Sequence, residues 1–563
     1  MSSVLTSLTT LGTWFGHHSQ EHSKMNQATQ WTPNMQALEA IVRLLQSTTS
    51  PDNNVQRTVV SKIKEFKQNP EFSMYLSFVL SQCTAEQVGG NYVRFQAGVI
   101  LKTIVSRPNS GWSQLNPNIR NYVVAQIMTP SAIGDATFNV RKTIANVLAN
   151  IVSKQKQPPA LQTWPSLLPT LVAMMTQSAN NLPLLDGSTQ CLSLLCEDCG
   201  WEILRHDDKP FNTMVPFLIQ LTTHNDQGIR QRSLECLVNI IPLGCAAIDL
   251  HMQTLLTALS ARTTDPDPIV RVAVCQALTE IVEQHLVNIV PMLGSIFQFF
   301  LHATMNDPDE TVALQACTFW QMYCDNCGEC RDALKTVLPQ LVPALLNRMV
   351  YSEEELVGLP VDDMDDMNVP DNQRDIRPTF HTNKSGAATL ADDEGDEDEE
   401  QGEHSHAETW TLRKSAAAAL DALGEVWGND LLPHLLAPLK ALLGSGDDTN
   451  WLRVESGILA LGCVSRGCEQ IVQYMGDLYP MLLRWSGHPR PLIRKISLWS
   501  MSKYTKWLLY TARKRAQGDL AQQQQQQQPP PPHTSSSSSP TTASIEPWQP
   551  SAWSAAPRQP AAR

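Results

Sequence analysis

The stretch DPDPIVRVAVCQALTEIV, Asp265 to Val282, decides the fold. Asp and Pro alternate through Asp265-Pro266-Asp267-Pro268, a composition that turns the chain, because Asp side chains bond nearby backbone N–H groups and Pro presets φ. Beyond the turn, Val270, Val274, Leu278 and Ile281 keep the spacing of one helical face. The segment reads as a polar turn feeding an amphipathic helix, with Arg271 at the start of the apolar pattern.

The same signature recurs along the chain. An aliphatic residue followed by Arg opens VRFQAGVILKTIV from Val93, VRKTIANVLANIV from Val140, IRQRSLECLVNII from Ile229, LRKSAAAALDALG from Leu412, LRVESGILALGCV from Leu452 and IRKISLWSMSKYT from Ile493. The later arginines, Arg230 to Arg271 and Arg413 to Arg453 to Arg494, fall about 40 residues apart, the length of a two-helix HEAT unit. A second series runs out of phase with the first, with Pro following an aliphatic or aromatic residue at Pro169, Pro216, Pro291, Pro339, Pro433 and Pro480. Proline suits a first helical turn, where its missing N–H has no intrahelical partner. Each unit is therefore expected to be a Pro-started helix, a short polar turn and an Arg-marked helix. One pair alone has more apolar surface than it can bury, and stacking neighbours buries it. The expected fold is all-α: a HEAT-repeat solenoid, an α-α superhelix of about ten helix pairs between Trp31 and Tyr510, with a long concave surface suited to wrapping a partner. The pattern is degenerate from Leu184 to Gly200. The repeated Arg and the turn Asp are expected to form a ladder between neighbouring pairs.

Composition narrows the function. The 563 residues are 42% hydrophobic, and Leu, Ala and Val dominate the first 510, which favours helices. No run of about 18 apolar residues suggests a membrane span. The N-terminal MSSVLTSLTTLGTWFGHHSQ carries no Lys or Arg ahead of its weakly apolar stretch, so a cytoplasmic or nuclear address is expected rather than secretion. The 13 cysteines, among them Cys236, Cys275 and Cys317 inside apolar helical patterns, read as buried thiols of a reducing compartment. Cys324, Cys327 and Cys330 have metal spacing but lack a fourth ligand, and no cofactor is expected. There is no phosphate-cradling glycine loop, nucleophile elbow or His and Glu metal spacing, and His404 and His406 fall in a polar insertion, so an enzyme is the least favoured class.

The net charge of −13 is segregated. Residues 351–408 carry 19 Asp and Glu against 3 Arg and Lys, or −16, which leaves +3 on the remainder. That distribution argues against nucleic acid as a partner and for a basic protein. The segment is too long and polar for a turn, and ADDEGDEDEE from Ala391 cannot bury enough apolar area to offset ordering entropy, so a disordered acidic loop is expected. The chain then divides into an N-terminal extension, 1–30; N-terminal repeats, 31–350; the acidic loop, 351–408; further repeats, 409–515; and a low-complexity tail of glutamine, proline and serine runs, 516–563.

Particular segments carry a family resemblance. WTPNMQALEAIVRLL, SPDNNVQRTVVSKI, NDPDETVALQACTFW, VPDNQRDIRPTFH, WTLRKSAAAALDALGEVW, VESGILALGCV and ISLWSMSKYTKW resemble, in the same order, stretches of the front portion of the transportins, the karyopherin-beta2 branch of the importin-beta family. DIRPTFH followed by an acidic stretch and WTLRK is the most specific part, because a generic HEAT protein has no reason to share it. The resemblance implies a monomeric nuclear import receptor that shuttles between cytoplasm and nucleus. It would bind basic cargo signals ending in Pro-Tyr, pass pore proteins rich in Phe-Gly, and release cargo when the GTP form of the small GTPase Ran binds, with no direct contact to nucleic acid or membrane.

By position, the resemblance implies Ran contacts at the helix around Arg94, Ile100 and Lys102 and at the acidic turn Asp307, Asp309 and Glu310. For the Pro-Tyr end of the signal it implies Ala418, Asp421, Leu459, Ile496 and Trp499, with Trp410 at the helix start and Lys503 where the family has Arg. Ile496, Trp499 and Lys503 share one helical face, while Asp421 interrupts the apolar pattern of its own helix. An exposed Trp beside an acid suits a proline ring, a tyrosine and an arginine. Taken without the resemblance, Trp499 reads as a core residue. In the acidic loop, Asp392, Asp393, Glu394, Asp396, Glu397, Asp398, Glu399 and Glu400 form a tethered polyanion that would compete with a basic signal and drive release. The repeat pattern gives way to polyglutamine where the family continues into further repeats, so weak cargo binding and a surviving Ran contact are expected. A generic HEAT scaffold, such as a phosphatase-type regulatory solenoid, and a receptor fragment without transport remain open as other readings.

Overall fold

The computed structural model describes residues 31–107, 112–155, 159–178, 180–357, 410–444, 450–510 and 512–513. The extension 1–30, the acidic residues Asp392 to Glu400 and the tail from 516 lie outside the described residues. Among the described residues there is no strand, and the helices of ten or more residues follow one another as ten pairs. These are α1 (Met35–Gln46) and α2 (Asn53–Phe66), α3 (Phe72–Ser81) and α4 (Asn91–Val105), α5 (Pro117–Ile127) and α6 (Phe138–Lys154), α7 (Leu167–Gln177) and α8 (Leu182–Leu204), and α9 (Phe211–Leu221) and α10 (Gln227–Ile240). They continue as α11 (Ala246–Ser260) and α12 (Pro268–Ile289), α13 (Leu293–Asn306) and α14 (Glu310–Asn326), α15 (Leu338–Arg348) and α16 (Leu412–Trp427), α17 (Leu432–Leu443) and α18 (Trp451–Cys463), and α19 (Met475–Trp485) and α20 (Pro491–Lys503). The chain forms two compact units, Met1–Gln284 and His285–Arg563. The division falls inside α12 at His285, whose φ of −127° and ψ of 23° interrupt the helix.

Local chemistry starts the second helix of a pair where the sequence reading placed it. Asp226 accepts from the backbone N–H of Ile229 at the head of α10, and Asp309 accepts from Thr311 and Val312 at the head of α14. A cap of this kind stabilises a helix by about 1 kcal/mol. The proline series holds less uniformly. Pro339 and Pro433 stand in first turns as expected, whereas Pro216 and Pro480 lie inside α9 and α19, because those helices already begin at Phe211 and Met475.

The arginine ladder is present and reaches further than the turn residues alone. In the first unit, Arg94 pairs with Asp135, Arg141 with Asp186 at 2.8 Å, and Arg230 with Asp265 at 2.8 Å, each acid belonging to the following helix pair. The same guanidinium groups bind their own entry turns: Arg141 donates to the carbonyls of Asp135 and Ala136, and Arg230 to those of His224 and Asn225. Asp135 and Asp265 are turn residues, as expected, but Asp186 lies on α8. In the second unit Arg413 pairs with Glu455 on α18, while Arg453, expected in the ladder from its spacing, is exposed.

Two irregularities have physical causes. Along α8 the buried face includes Asp186, Ser188, Thr189 and Gln190, so the apolar period is lost in the sequence, and the helix kinks at Cys199, which departs from helical φ and ψ. Ser188 and Thr189 satisfy their hydroxyls on the carbonyls of Leu184 and Leu185. In the second unit, the long insertion falls between α15 and α16 without separating α14 from α16. The hydroxyls of Thr318 and Ser415 meet at 3.0 Å across it. Beneath them Phe297, Phe300, Phe319, Trp320 and Tyr323 form a buried aromatic cluster, with the Trp320 indole N–H donating to Thr304 Oγ1 at 2.9 Å.

Two substitutions test this account. Arg413→Met leaves Glu455, which burial already pushes up, without its cation, and a loss of about 3–5 kcal/mol is expected. Hydrogen exchange in α16 and α18 should accelerate, and the loss should shrink between pH 8 and 5, because protonation relieves an unpaired buried carboxylate; a loss that grows with acidity would contradict the ladder. At Gly187 an added Cβ would lie 1.8 Å from the Ile133 carbonyl oxygen. Gly187→Val should therefore lower the melting temperature sharply, whereas Gly294→Ala, with nothing near its Cβ, should not.

Candidate peptide-binding site

The second helices of the last three pairs, α16, α18 and α20, pack side by side, α16 on α18 and α18 on α20. Their adjoining faces bring together most of the residues singled out for a signal peptide. Ala418 and Asp421 stand one turn apart on α16 and are partly exposed. Leu459 on α18 is buried at 2% exposure and forms a floor. On α20, Ile496 and Trp499 are partly exposed and Lys503 is exposed. Trp499 is not the core residue its pattern suggests. Its indole lies against Gly462 of α18, where an added Cβ would fall 2.1 Å from the ring, so the missing side chain at 462 is what makes room for it. The Lys503 ammonium sits over that ring, 4.9 Å from its centre, the arrangement of a cation–π contact.

Electrostatics tie the three helices together. Burial pushes the Asp421 carboxyl up to about 6, Glu425 one turn further along α16 adds to the rise, and Arg466 and Lys503 oppose it. Asp421 therefore changes charge close to neutral pH, within reach of cations from the turn after α18 and from α20. Trp410 is not part of this cluster. It is exposed at the head of α16, about 16 Å along the helix from Asp421 at 1.5 Å per residue. Sequence reasoning passed over Glu425, Arg466 and Gly462. Glu425 was legible as the residue four on from Asp421, on the same helical face; Arg466 was legible only as the position one repeat length after Glu425.

The residues implied for Ran are placed differently. Arg94 is buried and committed to the ladder, where it also donates to the Leu80 carbonyl at 3.1 Å. Ile100 is buried at 7% exposure. Lys102 is exposed, and its charge reaches Asp198 on α8, whose carboxyl burial raises and Ser153, Lys154 and Lys102 pull down. Asp309 caps α14, Asp307 accepts from the Asp309 N–H at 3.0 Å, and Glu310 is exposed in the first turn. Of these residues Lys102 in the first unit and Glu310 in the second have exposed side chains, whereas Arg94, Asp307 and Asp309 are engaged in shaping their own elements.

Comparison with known proteins agrees with the architecture. A HEAT repeat model matches residues 255–285, which include the turn and helix from Asp265. Transportin-1 of Mus musculus is 34% identical over 488 residues, covering 85% of this chain and 52% of that protein. Importin subunit beta-2 of Schizosaccharomyces pombe is 31% identical over 504 residues, covering 85% and 53%. Among solved structures, Kap95p in complex with Ran matches 83% of this chain and 50% of its own with a TM-score of 0.55 at 17% identity. Kap121p bound to RanGTP matches 84% and 40% with a TM-score of 0.53 at 16% identity. At such identities these structures speak to the fold. The chain spans about half the length of the curated relatives it matches. With its paired helices, its arginine ladder and these relatives in agreement, the chain is a HEAT-repeat homologue of the transportin and importin beta-2 family.

Proposed function

We propose that this chain acts as a nuclear import receptor of the transportin type, taking a basic peptide signal ending in Pro-Tyr on α16, α18 and α20 and giving it up to the GTP form of Ran. The observation that supports this most is the placement of the Asp421 and Glu425 carboxylates on α16 and the partly exposed Trp499 indole on α20, the two helices that flank α18, with Lys503 over that indole and its charge reaching Asp421. A carboxylate pair receives an arginine, and an indole face receives a proline or tyrosine ring at little entropic cost. Ala418 keeps the approach to Asp421 open, and Ile496 extends the apolar side of the site. Lys503, in place of a guanidinium, caps the indole as a point charge rather than a fork.

Ran as a partner is supported by the Kap95p and Kap121p complexes, whose fold this chain shares. Lys102 and Glu310 are the exposed side chains assigned to it here. A further partner among Phe-Gly nucleoporins is in line with the Kap95:Nup1 complex, matched with a TM-score of 0.55. The acidic residues Asp392 to Glu400 are assigned the role of competing with the signal when Ran is bound. A protein with these partners shuttles between cytoplasm and nucleus.

Calorimetric titration of the chain with a basic Pro-Tyr peptide, with and without GTP-bound Ran, tests the proposal. Binding that Ran abolishes is expected; binding that Ran leaves unchanged removes the release step, and absence of binding removes the receptor reading. A pH series tests the site. A cationic ligand prefers the ionised Asp421, so affinity should be full near pH 7.5 and decline as pH falls through about 6. Asp421→Asn should weaken binding about tenfold at pH 7.5, the loss of one charge-assisted hydrogen bond, and flatten the profile. A variant that keeps the wild-type pH profile would place the titrating group elsewhere.

A further inference from the structure

Arg466 lies in the turn after α18, and its Nη1 stands 3.4 Å from Glu425 Oε1 on α16. The backbone holds it there. Gly467 approaches α16 so closely that a Cβ would fall 1.7 Å from the carbonyl oxygen of Gly424, the neighbour of Glu425. Cys468 Sγ donates to the Gly428 carbonyl at 3.1 Å, and the Gln470 N–H donates to Asn429 Oδ1 at 2.8 Å. With the turn fixed at three points, pairing Arg466 with Glu425 costs less ordering entropy than a pair on two mobile segments. Yet both side chains remain open to water, at 61% and 52% exposure, so the pair can exchange partners. Around it stand Asp421, one turn before Glu425; Asp325 on α14, whose carboxyl is raised by burial and by Glu425; and Lys503 over Trp499. The acids of the candidate site therefore already face two cations of the chain itself.

We propose that Arg466 is a built-in competitor for the peptide cation, so that a ligand must displace it from Glu425 to engage the Asp421 and Glu425 pair. The inference rests on the reading of α16, α18 and α20 as a peptide site and adds a selection rule to it. A lysine gains little by replacing one point contact with another. An arginine that forks across both carboxylates makes two bonds where Arg466 makes one, so the exchange favours guanidinium-bearing signals over lysine-bearing ones.

The test is a fluorescence anisotropy titration of a labelled basic peptide ending in Pro-Tyr, at pH 7.5 and low salt, against the full chain and its Arg466→Ala and Arg466→Lys variants. Residue 466 is exposed, so both variants should fold, which circular dichroism checks. Arg466→Ala should bind about threefold tighter, in the range of an exposed ion pair, with the gain fading at about 0.5 M salt. Arg466→Lys should stay near the wild type. A peptide with its arginines changed to lysine should bind the wild type more weakly, and Arg466→Ala should narrow that difference. If the wild type binds and Arg466→Ala binds equally or less tightly, the competitor role is overturned while the peptide site stands. If neither chain binds, the site reading falls and the competitor with it.

Discussion

Four guanidinium groups at the heads of second helices, those of Arg94, Arg230 and Arg413, which are buried, and of Arg141, which is nearly so, constrain the rest of the structure. A buried charge left unpaired costs several kcal/mol. Each of these side chains therefore forces an acceptor into place, and each finds a carboxylate on the pair that follows. Burial of Leu, Ile and Val supplies most of the stabilisation but has no direction. The guanidinium supplies direction: Arg94 and Arg230 each fork onto both oxygens of their acid, and Arg141 and Arg413 each hold one oxygen of theirs. Where it also binds its own entry turn, as Arg141 and Arg230 do, one residue fixes both the angle of entry and the step to the next pair.

Register has consequences for the surface. Once second helices stand side by side, residues one repeat length apart become neighbours, and a site can be assembled from three helices that share no local sequence. The cluster of Asp421, Leu459, Gly462 and Trp499 is such an assembly. Its geometry depends on small residues as much as on reactive ones: Gly462 admits the Trp499 ring against α18, and Gly467 lets a turn press onto the end of α16. The insertion between α15 and α16 leaves this arrangement undisturbed, since α14 and α16 still meet through Thr318 and Ser415.

The chemistry of the site is that of a balanced acid group. Burial and Glu425 push Asp421 towards neutrality, and Arg466 and Lys503 draw it back. A carboxyl held at such a balance responds to an arriving cation more than one that is fully ionised and solvated, because the ligand itself shifts the protonation. On the proposed reading of the site, the same balance makes the cations of the chain part of recognition.

How much of this was legible depended on the range of the signal. The 3.6-residue period of Val270, Val274, Leu278 and Ile281, the Asp-Pro turn ahead of them and the recurrence of Arg about 40 residues on are features of contiguous sequence, and they determined the helices, their pairing and the ladder. They failed where contiguous signals were silent. In α8 a buried polar face hid the period, and at Arg453 the right spacing led to an exposed side chain while Glu455, two residues on, turned inward. Only the tertiary structure decided that Arg94 is committed to Asp135 rather than offered to a partner, that Trp499 is half-covered by α18 rather than core, and that Arg466 meets Glu425. Burial and charge pairing are properties of neighbours a whole repeat away, and no local pattern encodes which neighbour will be there.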